Sequence, residues 1–107
     1  IHIGNIKIGP INYRYKYADI SYFIGEKSFW GKGIATEAIK TISRFGLNNL
    51  SLNRIQAGVV GGNIGSIKAL EKAGFKYEGC LREKLFTEEY VNDHLLYGLL
   101  KRDISTG

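Results

Sequence analysis

The residues best suited to chemistry lie in a glycine-containing stretch, residues 29–38, which reads FWGKGIATEA. Strand-like alternation precedes it and helical periodicity follows. The loop therefore leads into a helix N-terminus, where backbone N–H groups lack partners and carry the positive end of the dipole. Gly31 and Gly33 lack the Cβ atoms that would hold a phosphate away, and Lys32 adds a positive charge. The stretch predicts a site for a phosphate or pyrophosphate group.

Three phosphate-binding patterns can be compared with this stretch. The Walker pattern, Gly and four residues followed by Gly-Lys-Ser/Thr, fits no window of the sequence. The dinucleotide pattern G-x-G-x-x-G/A places Thr36 at its third small position, and the acidic residue it needs about 20 positions later is missing. The pattern R/Q-x-x-G-x-G/A fits with Gly33 and Ala35 in its last two places, although Trp30 stands where Arg or Gln is usual. A tight strand-to-helix turn is the alternative explanation for the glycines.

The third pattern is that of an acyl-CoA pyrophosphate loop, and the sequence resembles the GNAT superfamily of N-acyltransferases. Residues 30–38 are similar to the RimJ/RimL-like group, which acetylates the N-termini of ribosomal proteins. A second motif agrees with the first: Asn63 and Ser66, followed by residues 72–75 and 78–82, resemble the cofactor-side helix and the next strand of that group. The resemblance covers nearly the whole chain.

The resemblance implies acetyl-CoA as the cosubstrate. In the GNAT fold the strands before and after the loop and its helix separate, here residues 19–25 and 52–60, and the pantetheine arm lies between them. Main-chain groups of residues 22–24 would bond the pantetheine and polarise the thioester carbonyl, while backbone N–H groups of residues 32–36 would hold the pyrophosphate. The implied cofactor-binding residues are Tyr22, Phe23, Ile24, Trp30, Gly31, Lys32, Gly33, Ile34, Ala35, Thr36, Asn63 and Ser66.

The reaction would need a proton donor for the departing sulfur. Many family members supply a tyrosine from the second helix, four residues before a Gly-Phe pair, but Leu70 stands at that position here. Ser66, one turn earlier, is therefore the predicted donor, and Asn63 would orient the pantetheine. Both residues have a structural alternative, since Asn63 could simply cap the helix and Ser66 could be a first-turn hydroxyl.

The attacking amine would also need a proton acceptor. Glu26, after the strand that precedes the loop, and Asp93, on the last strand, are the predicted acceptors. Glu83 and His94 are alternatives on the same final pair of strands. Each of these residues could equally be a surface group with no part in the chemistry.

The elements that position these residues predict an α+β fold of the GNAT type. We expect a mixed, mostly antiparallel sheet with two helices and a βαβ unit around the loop. The apolar stripe of the first helix is predicted to be Ile34, Ala35, Ala38, Ile39, Ile42, Phe45 and Leu47. The predicted strands are residues 1–3, 6–13, 19–25, 52–60, 76–86 and 91–101, and the predicted helices are residues 34–48 and 63–73.

Composition bounds the class of protein. With 107 residues, 44% of them hydrophobic and 23% charged, the sequence predicts one soluble domain, and no run approaches the ~20 apolar residues of a membrane span. The net charge of +5 favours an anionic partner, but the basic residues are scattered, which suits a phosphorylated cofactor better than nucleic acid. Cys80 is the only cysteine and no zinc-type spacing occurs, so we expect a cytoplasmic protein without a metal.

These observations favour an N-acetyltransferase that acts by direct transfer in a ternary complex on a primary amine: a protein N-terminus, an amino sugar or a polyamine. A non-catalytic acyl-CoA-binding or regulatory module is the main alternative, and a basic nucleic-acid binder is a further one. The chain opens at Ile1 without Met. We expect residues 1–107 to be one acetyltransferase domain lacking the strand and helices with which family members begin, and an unpaired sheet edge to favour a homodimer.

Overall fold

Five strands and three helices make up the part of the chain that the computed structural model describes, residues 5–23 and 33–104. Periodicity located seven of these eight elements to within a few residues. In chain order they are β1 Asn5–Asn12, β2 Tyr17–Phe23, α1 Ile34–Asn49, β3 Arg54–Val60, α2 Ile64–Lys72, β4 Lys76–Thr87, β5 Tyr90–Leu100 and α3 Lys101–Ile104.

The strands form one mixed sheet in the order β1-β2-β3-β5-β4. The β2–β3 pair is parallel and every other neighbouring pair is antiparallel. Helix α1 connects the two parallel strands, and β4 and β5 form a hairpin through a turn at residues 88–89. The expected fold class, with its βαβ unit and its final hairpin, is confirmed.

The parallel pair separates partway along its length. Strands β2 and β3 pair at three positions, from Tyr17 opposite Arg54 to Asp19 opposite Gln56. Beyond them β2 continues to Phe23 while paired with β1, and β3 continues to its end while paired with β5. Each strand is therefore held on its outer side, and the inner edges part.

The core lies between one face of the sheet and helices α1 and α2. Its largest fully buried side chains include Ile39 and Leu47 of α1, Ile55 of β3, Leu70 of α2 and Leu99 of β5. Because alternate residues of a strand point to opposite sides, the neighbours of Ile55 face away from this core. No helix in the described ranges is long and apolar enough to span a membrane.

The buried side of helix α1 differs in part from the predicted apolar stripe. Phe45 was expected on the buried side but is 47% exposed, and Gly46 is buried instead. A Cβ on Gly46 would stand 2.6 Å from Cδ1 of Ile8 and 2.9 Å from Cδ1 of Ile55. The glycine is where the helix backbone touches the sheet, and this contact turns Phe45 outward.

The end of α2 was predicted, whereas the helix that follows β5 was not. Helix α2 ends as expected: Gly74 has φ of 100°, and its N–H donates to the Glu71 carbonyl at 3.0 Å. Strand β5 ends at Leu100, one residue before its expected end, and the short helix α3 follows. The Leu100 N–H donates to Oδ2 of Asp103 at 2.9 Å, so this carboxylate caps the new helical turn.

Candidate active site

A cleft of about 1110 Å³ opens where β2 and β3 separate. From the side of the helices it is lined by Tyr22, Asn63 and Ser66. From the opposite side it is lined by the polar face of the sheet, which we define by Asp19, Arg54, Gln56 and His94. The cleft thus passes through the parted sheet and joins two chemically different surfaces.

Ser66 is fixed at the helix side of the cleft. It lies in the first turn of α2, is 4% exposed, and its hydroxyl is 2.5 Å from the hydroxyl of Tyr22, with either atom able to donate. Because Tyr22 belongs to β2, this hydrogen bond crosses from one wall of the cleft to another. Burial raises the pKa of Tyr22, and the hydrogen bond to Ser66 partly offsets that rise. The phenol therefore stays protonated and able to donate at neutral pH.

Asn63 orients the same turn of helix. It occupies the N-cap of α2, and its Oδ1 accepts from the Ser66 N–H at 3.2 Å. This is the capping role that the sequence offered as the structural alternative for Asn63. Both the backbone and the side chain of Ser66 consequently have fixed partners, one from Asn63 and one from Tyr22.

Gly33 is the one described residue of the predicted phosphate loop, and it stands at the start of α1. Gly33 is the N-cap of α1, has a left-handed φ of 78°, and provides no side-chain cap. A Cβ on Gly33 would meet no described atom within 4 Å. The first N–H groups of this 16-residue helix, from Ile34 to Thr36, have no acceptor within the helix and carry the positive end of its dipole.

His94 occupies the polar face of the cleft above a glycine. It stands opposite Val60 in the β3–β5 ladder, and its ring lies over Gly58, two residues earlier on β3. A Cβ on Gly58 would overlap Nε2 of His94 and would stand 2.7 Å from Cε1. Nδ1 of His94 is buried and has no hydrogen-bond partner within the described ranges.

An ion pair closes the other end of the polar face. Arg54 of β3 donates from both terminal guanidinium nitrogens to the carboxylate of Glu78 on β4, with Nη1 to Oε2 at 2.8 Å. Nε of Arg54 donates to Gln56 at 3.0 Å. The pair lies across Gly98, where a Cβ would crowd both side chains. Its hydrogen bonds hold the pKa of Glu78 below its ordinary value.

The structure brings three predicted residues together and separates a fourth from them. Tyr22, Asn63 and Ser66 line one cleft. Asp93 lies outside the described cleft lining; its Oδ1 accepts from the N–H of Glu83 at 2.8 Å. Glu83 has a positive φ of 53° where the β4–β5 register shifts. The Asp93 carboxylate thus supports an irregularity of the hairpin.

The remaining predicted residues divide into three groups. Gly33, Ile34, Ala35 and Thr36 form the first turn of α1, as expected. Of Phe23 the structure describes the strand backbone, which pairs with β1. The predictions for Ile24, Glu26, Trp30, Gly31 and Lys32 fall outside the described residues.

The roles of two side chains in the cleft were not predicted from the sequence. Only the main chain of Tyr22 was predicted to contact the cofactor, whereas the structure shows its hydroxyl hydrogen-bonded to that of Ser66, 44 positions away in the sequence. His94 was one of several alternatives, with nothing to set it above Asp93. The alternation of β2 places Tyr22 on the buried side with Ile20, and Gly58 interrupts an otherwise bulky strand. Those two features were the available signals.

Comparison with known proteins finds a family model and several relatives. A family model described as an acetyltransferase (GNAT) domain matches residues 1–76. "Probable N-acetyltransferase YjcK" of Bacillus subtilis is 41% identical over 86 residues, which cover 80% of this chain and 47% of that protein. The ribosomal protein uS5-alanine N-acetyltransferase of Escherichia coli is 31% identical over 88 residues, covering 82% of this chain and 45% of its own length.

Solved structures share the fold. A chimera of the spermidine N-acetyltransferase SpeG from Vibrio cholerae with hSSAT superposes with a TM-score of 0.83 at 27% sequence identity. The match covers 94% of this chain and 60% of the chimera. The chain spans about half the length of the curated relatives it matches.

Proposed function

Because the chain belongs to the GNAT family of acetyltransferases, we propose that the protein transfers the acetyl group of acetyl-CoA to a primary amine. The transfer is direct, within a ternary complex of protein, acetyl-CoA and amine. Residues 1–107 act as one domain that carries the cofactor site and the proton donor. The proposal rests above all on the hydrogen-bonded Tyr22–Ser66 pair at the point where β2 and β3 separate.

The separated strands and the α1 N-terminus suit the two parts of acetyl-CoA. Past Asp19 and Gln56 the facing edges of β2 and β3 are not paired with each other, and backbone groups on such edges match an extended chain of amides such as pantetheine. The first turn of α1 offers N–H groups and a positive dipole end to the pyrophosphate. Gly33, and in the predicted loop Trp30, Gly31 and Lys32, would complete that site.

The Tyr22–Ser66 pair supplies the proton that the leaving sulfur needs. As the amine nitrogen bonds to the carbonyl carbon of the thioester, the carbon–sulfur bond breaks and the sulfur takes up a proton. Ser66 donates that proton, and Tyr22 donates to the serine oxygen as its proton leaves. Leu70 stands where many family members carry a tyrosine, so a tyrosine on β2 provides the phenol that α2 lacks.

Several classes of primary amine could serve as the acceptor of the acetyl group. The relatives point to two of them, since one is named for a ribosomal protein and another for spermidine. The charged side chains that line the cleft balance each other, with the acids Asp19 and Glu78 against the bases Arg54 and Lys84. We favour an acceptor that presents one amine beside neutral hydrogen-bonding groups, as a protein N-terminus does.

Thiol release from acetyl-CoA tests the proposal directly. The protein should release free CoA in the presence of a peptide with a free N-terminus, spermidine or glucosamine, and mass spectrometry should find the acetylated amine. Ser66→Ala should lower kcat by about 10–100-fold with little change in acetyl-CoA affinity, because a proton donor acts mainly in the transition state.

Ser43→Ala is a matched control for that substitution. Ser43 is fully buried on α1, its Oγ has no described hydrogen-bond partner, and it lies away from the cleft lining. It should therefore leave kcat unchanged. Tight acetyl-CoA binding without acetylation of any amine would instead indicate an acyl-CoA-binding module, and equal kcat values for Ser66→Ala and the parent would remove Ser66 from the mechanism.

A further inference from the structure

The polar face of the cleft contains one titratable side chain whose position depends on a glycine. The ring of His94 rests on the backbone of Gly58, and any larger residue there would collide with its Nε2 edge. Gly58 lies between the buried residues Ala57 and Val59, in the middle of a strand where glycine is unfavourable. The missing side chain is therefore explained by the ring that takes its place.

The ring also carries an unsatisfied polar atom. Nδ1 of His94 is buried without a hydrogen-bond partner in the described ranges, although the residue lines the cleft. Leaving a buried polar atom unpaired destabilises a protein, and most such atoms have a partner or a specific reason to lack one. Because this nitrogen is shielded as well as unpaired, a group in the cleft or a water can bond to it only after the imidazole ring rotates toward the cleft, and that bond would remove the deficit.

The other charged groups of the cleft are less suited to accept a proton. Arg54 and Lys84 are cations, and Glu78 is bound on both oxygens by the Arg54 guanidinium, which holds the pKa of this carboxyl low. Asp19 is a carboxylate whose charge interacts with Arg54. An imidazole can take up a proton on a ring nitrogen that has no hydrogen-bond partner, which leaves His94 as the best candidate.

We infer that His94 is the residue that takes the proton from the acceptor amine, directly or through one water. The inference rests on the proposed function and adds a base to the acid pair of that site. The ammonium form of the acceptor gives a proton to His94, and the neutral nitrogen then attacks the thioester carbonyl. The sulfur leaves with the proton of Ser66, and the second proton that the nitrogen loses as the amide forms passes through solvent to the Tyr22–Ser66 pair, which is thereby restored. One proton is accepted on the polar face and one is donated from the helix side.

The pH dependence of transfer by the protein and by His94→Gln tests this inference. Spermidine and a peptide with a free N-terminus serve as the acceptors. Near pH 7 the variant should lose about 100-fold in kcat/KM, a typical effect of removing a general base. The pH profile of the parent should differ from that of the variant, because the parent has a base in addition to the acceptor amine, whose own slope both share. The variant should retain only the slope of the amine.

Two further variants keep the test independent of folding. His94→Ala should regain part of its rate when imidazole is added to the buffer, which a purely structural role would not allow. Gly58→Ala should displace the ring and slow transfer, while circular dichroism and acetyl-CoA binding by calorimetry report whether the fold and the cofactor site remain. Glu88→Gln, in the exposed hairpin turn, should match the parent in every assay.

The outcomes separate this inference from the proposed function. If the parent transfers acetyl to an amine and His94→Gln keeps its rate and pH profile, the base assignment is overturned alone. If folded His94→Ala is slow but gains nothing from imidazole and keeps the parent's pH profile, the role of His94 is structural. If the parent binds acetyl-CoA but acetylates neither probe, both the proposed function and this inference fail.

Discussion

The two sides of the cleft differ in how many of their polar groups are already bonded. On the helix side, Ser66 receives a partner for its N–H from Asn63 and one for its hydroxyl from Tyr22. On the polar face, His94 has a buried nitrogen without a described partner. The side that we propose donates a proton is thus preorganised by the fold, whereas the side that we propose accepts one still has an unpaired nitrogen within the described residues. Preorganisation matters most for the group that must act in the transition state.

The largest effect should come from the cofactor end, because neither side can work without acetyl-CoA. Gly33 has a left-handed φ, which Asn and Asp tolerate better than most residues, so Gly33→Asn and Gly33→Asp form an isosteric pair that differs in charge. Gly33→Asp should weaken acetyl-CoA binding by about 100-fold more than Gly33→Asn, or about 2.7 kcal/mol. Calorimetric titration measures both. Equal affinities would refute the pyrophosphate assignment.

A double-mutant cycle at Tyr22 and Ser66 should give the next largest effect. Tyr22→Phe should lower kcat by about 10-fold, because it removes the hydroxyl that supports Ser66. Groups that act as a unit are non-additive, so the double variant should be little slower than Ser66→Ala. Steady-state kinetics under conditions where chemistry limits the rate gives all four corners. Fully additive losses would show that the two hydroxyls act separately.

Asn63→Ala should sharpen the comparison by destabilising the preorganised side alone. Loss of the N-cap hydrogen bond to the Ser66 N–H should lower the free energy of unfolding by about 1 kcal/mol. Asn63→Asp retains an acceptor at the cap and should stay near the parent. Urea denaturation measures the stability of each. Acetyl-CoA affinity should be measured for the same two variants. If it falls in the stable variant Asn63→Asp, Asn63 also contacts the cofactor, as the sequence predicted.

The smallest effect should come from the ion pair on the polar face. Its side chains are 28% and 35% exposed, so Glu78→Gln should cost about 1 kcal/mol of stability or less at pH 7. Arg54 lowers the pKa of Glu78 in the folded state. Stability from the pair is therefore fully present above the ordinary glutamate pKa of about 4.3 and is lost as the pH falls through the lowered folded value. Urea unfolding should show the difference between parent and variant at pH 7 and a smaller one at pH 3.

Local sequence signals predicted the fold more completely than the site. Helix and strand periods, the cap at Asn63 and the glycine at Gly74 are properties of neighbouring residues, and the structure agrees with each. The Tyr22–Ser66 bond and the stacking of His94 on Gly58 join distant parts of the chain. Such contacts depend on register between elements, which periodicity does not specify.

Two local features differ from expectation for the same reason. Phe45 belongs to the apolar stripe of α1, yet the close approach of Gly46 to the sheet leaves it exposed to solvent. The short helix α3 was not predicted, and it begins where the carboxylate of Asp103 accepts from the Leu100 N–H. In both cases a contact made in the folded protein decided between conformations that the sequence pattern alone leaves equally reasonable.

The parting of β2 from β3 should also be visible in amide hydrogen exchange. Along an antiparallel pair, successive residues alternate between bonding their neighbour and pointing away from it. Past Asp19 and Gln56, every second amide of the two strands is thus protected by β1 or β5, while those between face the gap. Slow and fast exchange should alternate residue by residue here, and an extended ligand lying in the gap should convert the alternation into uniform protection.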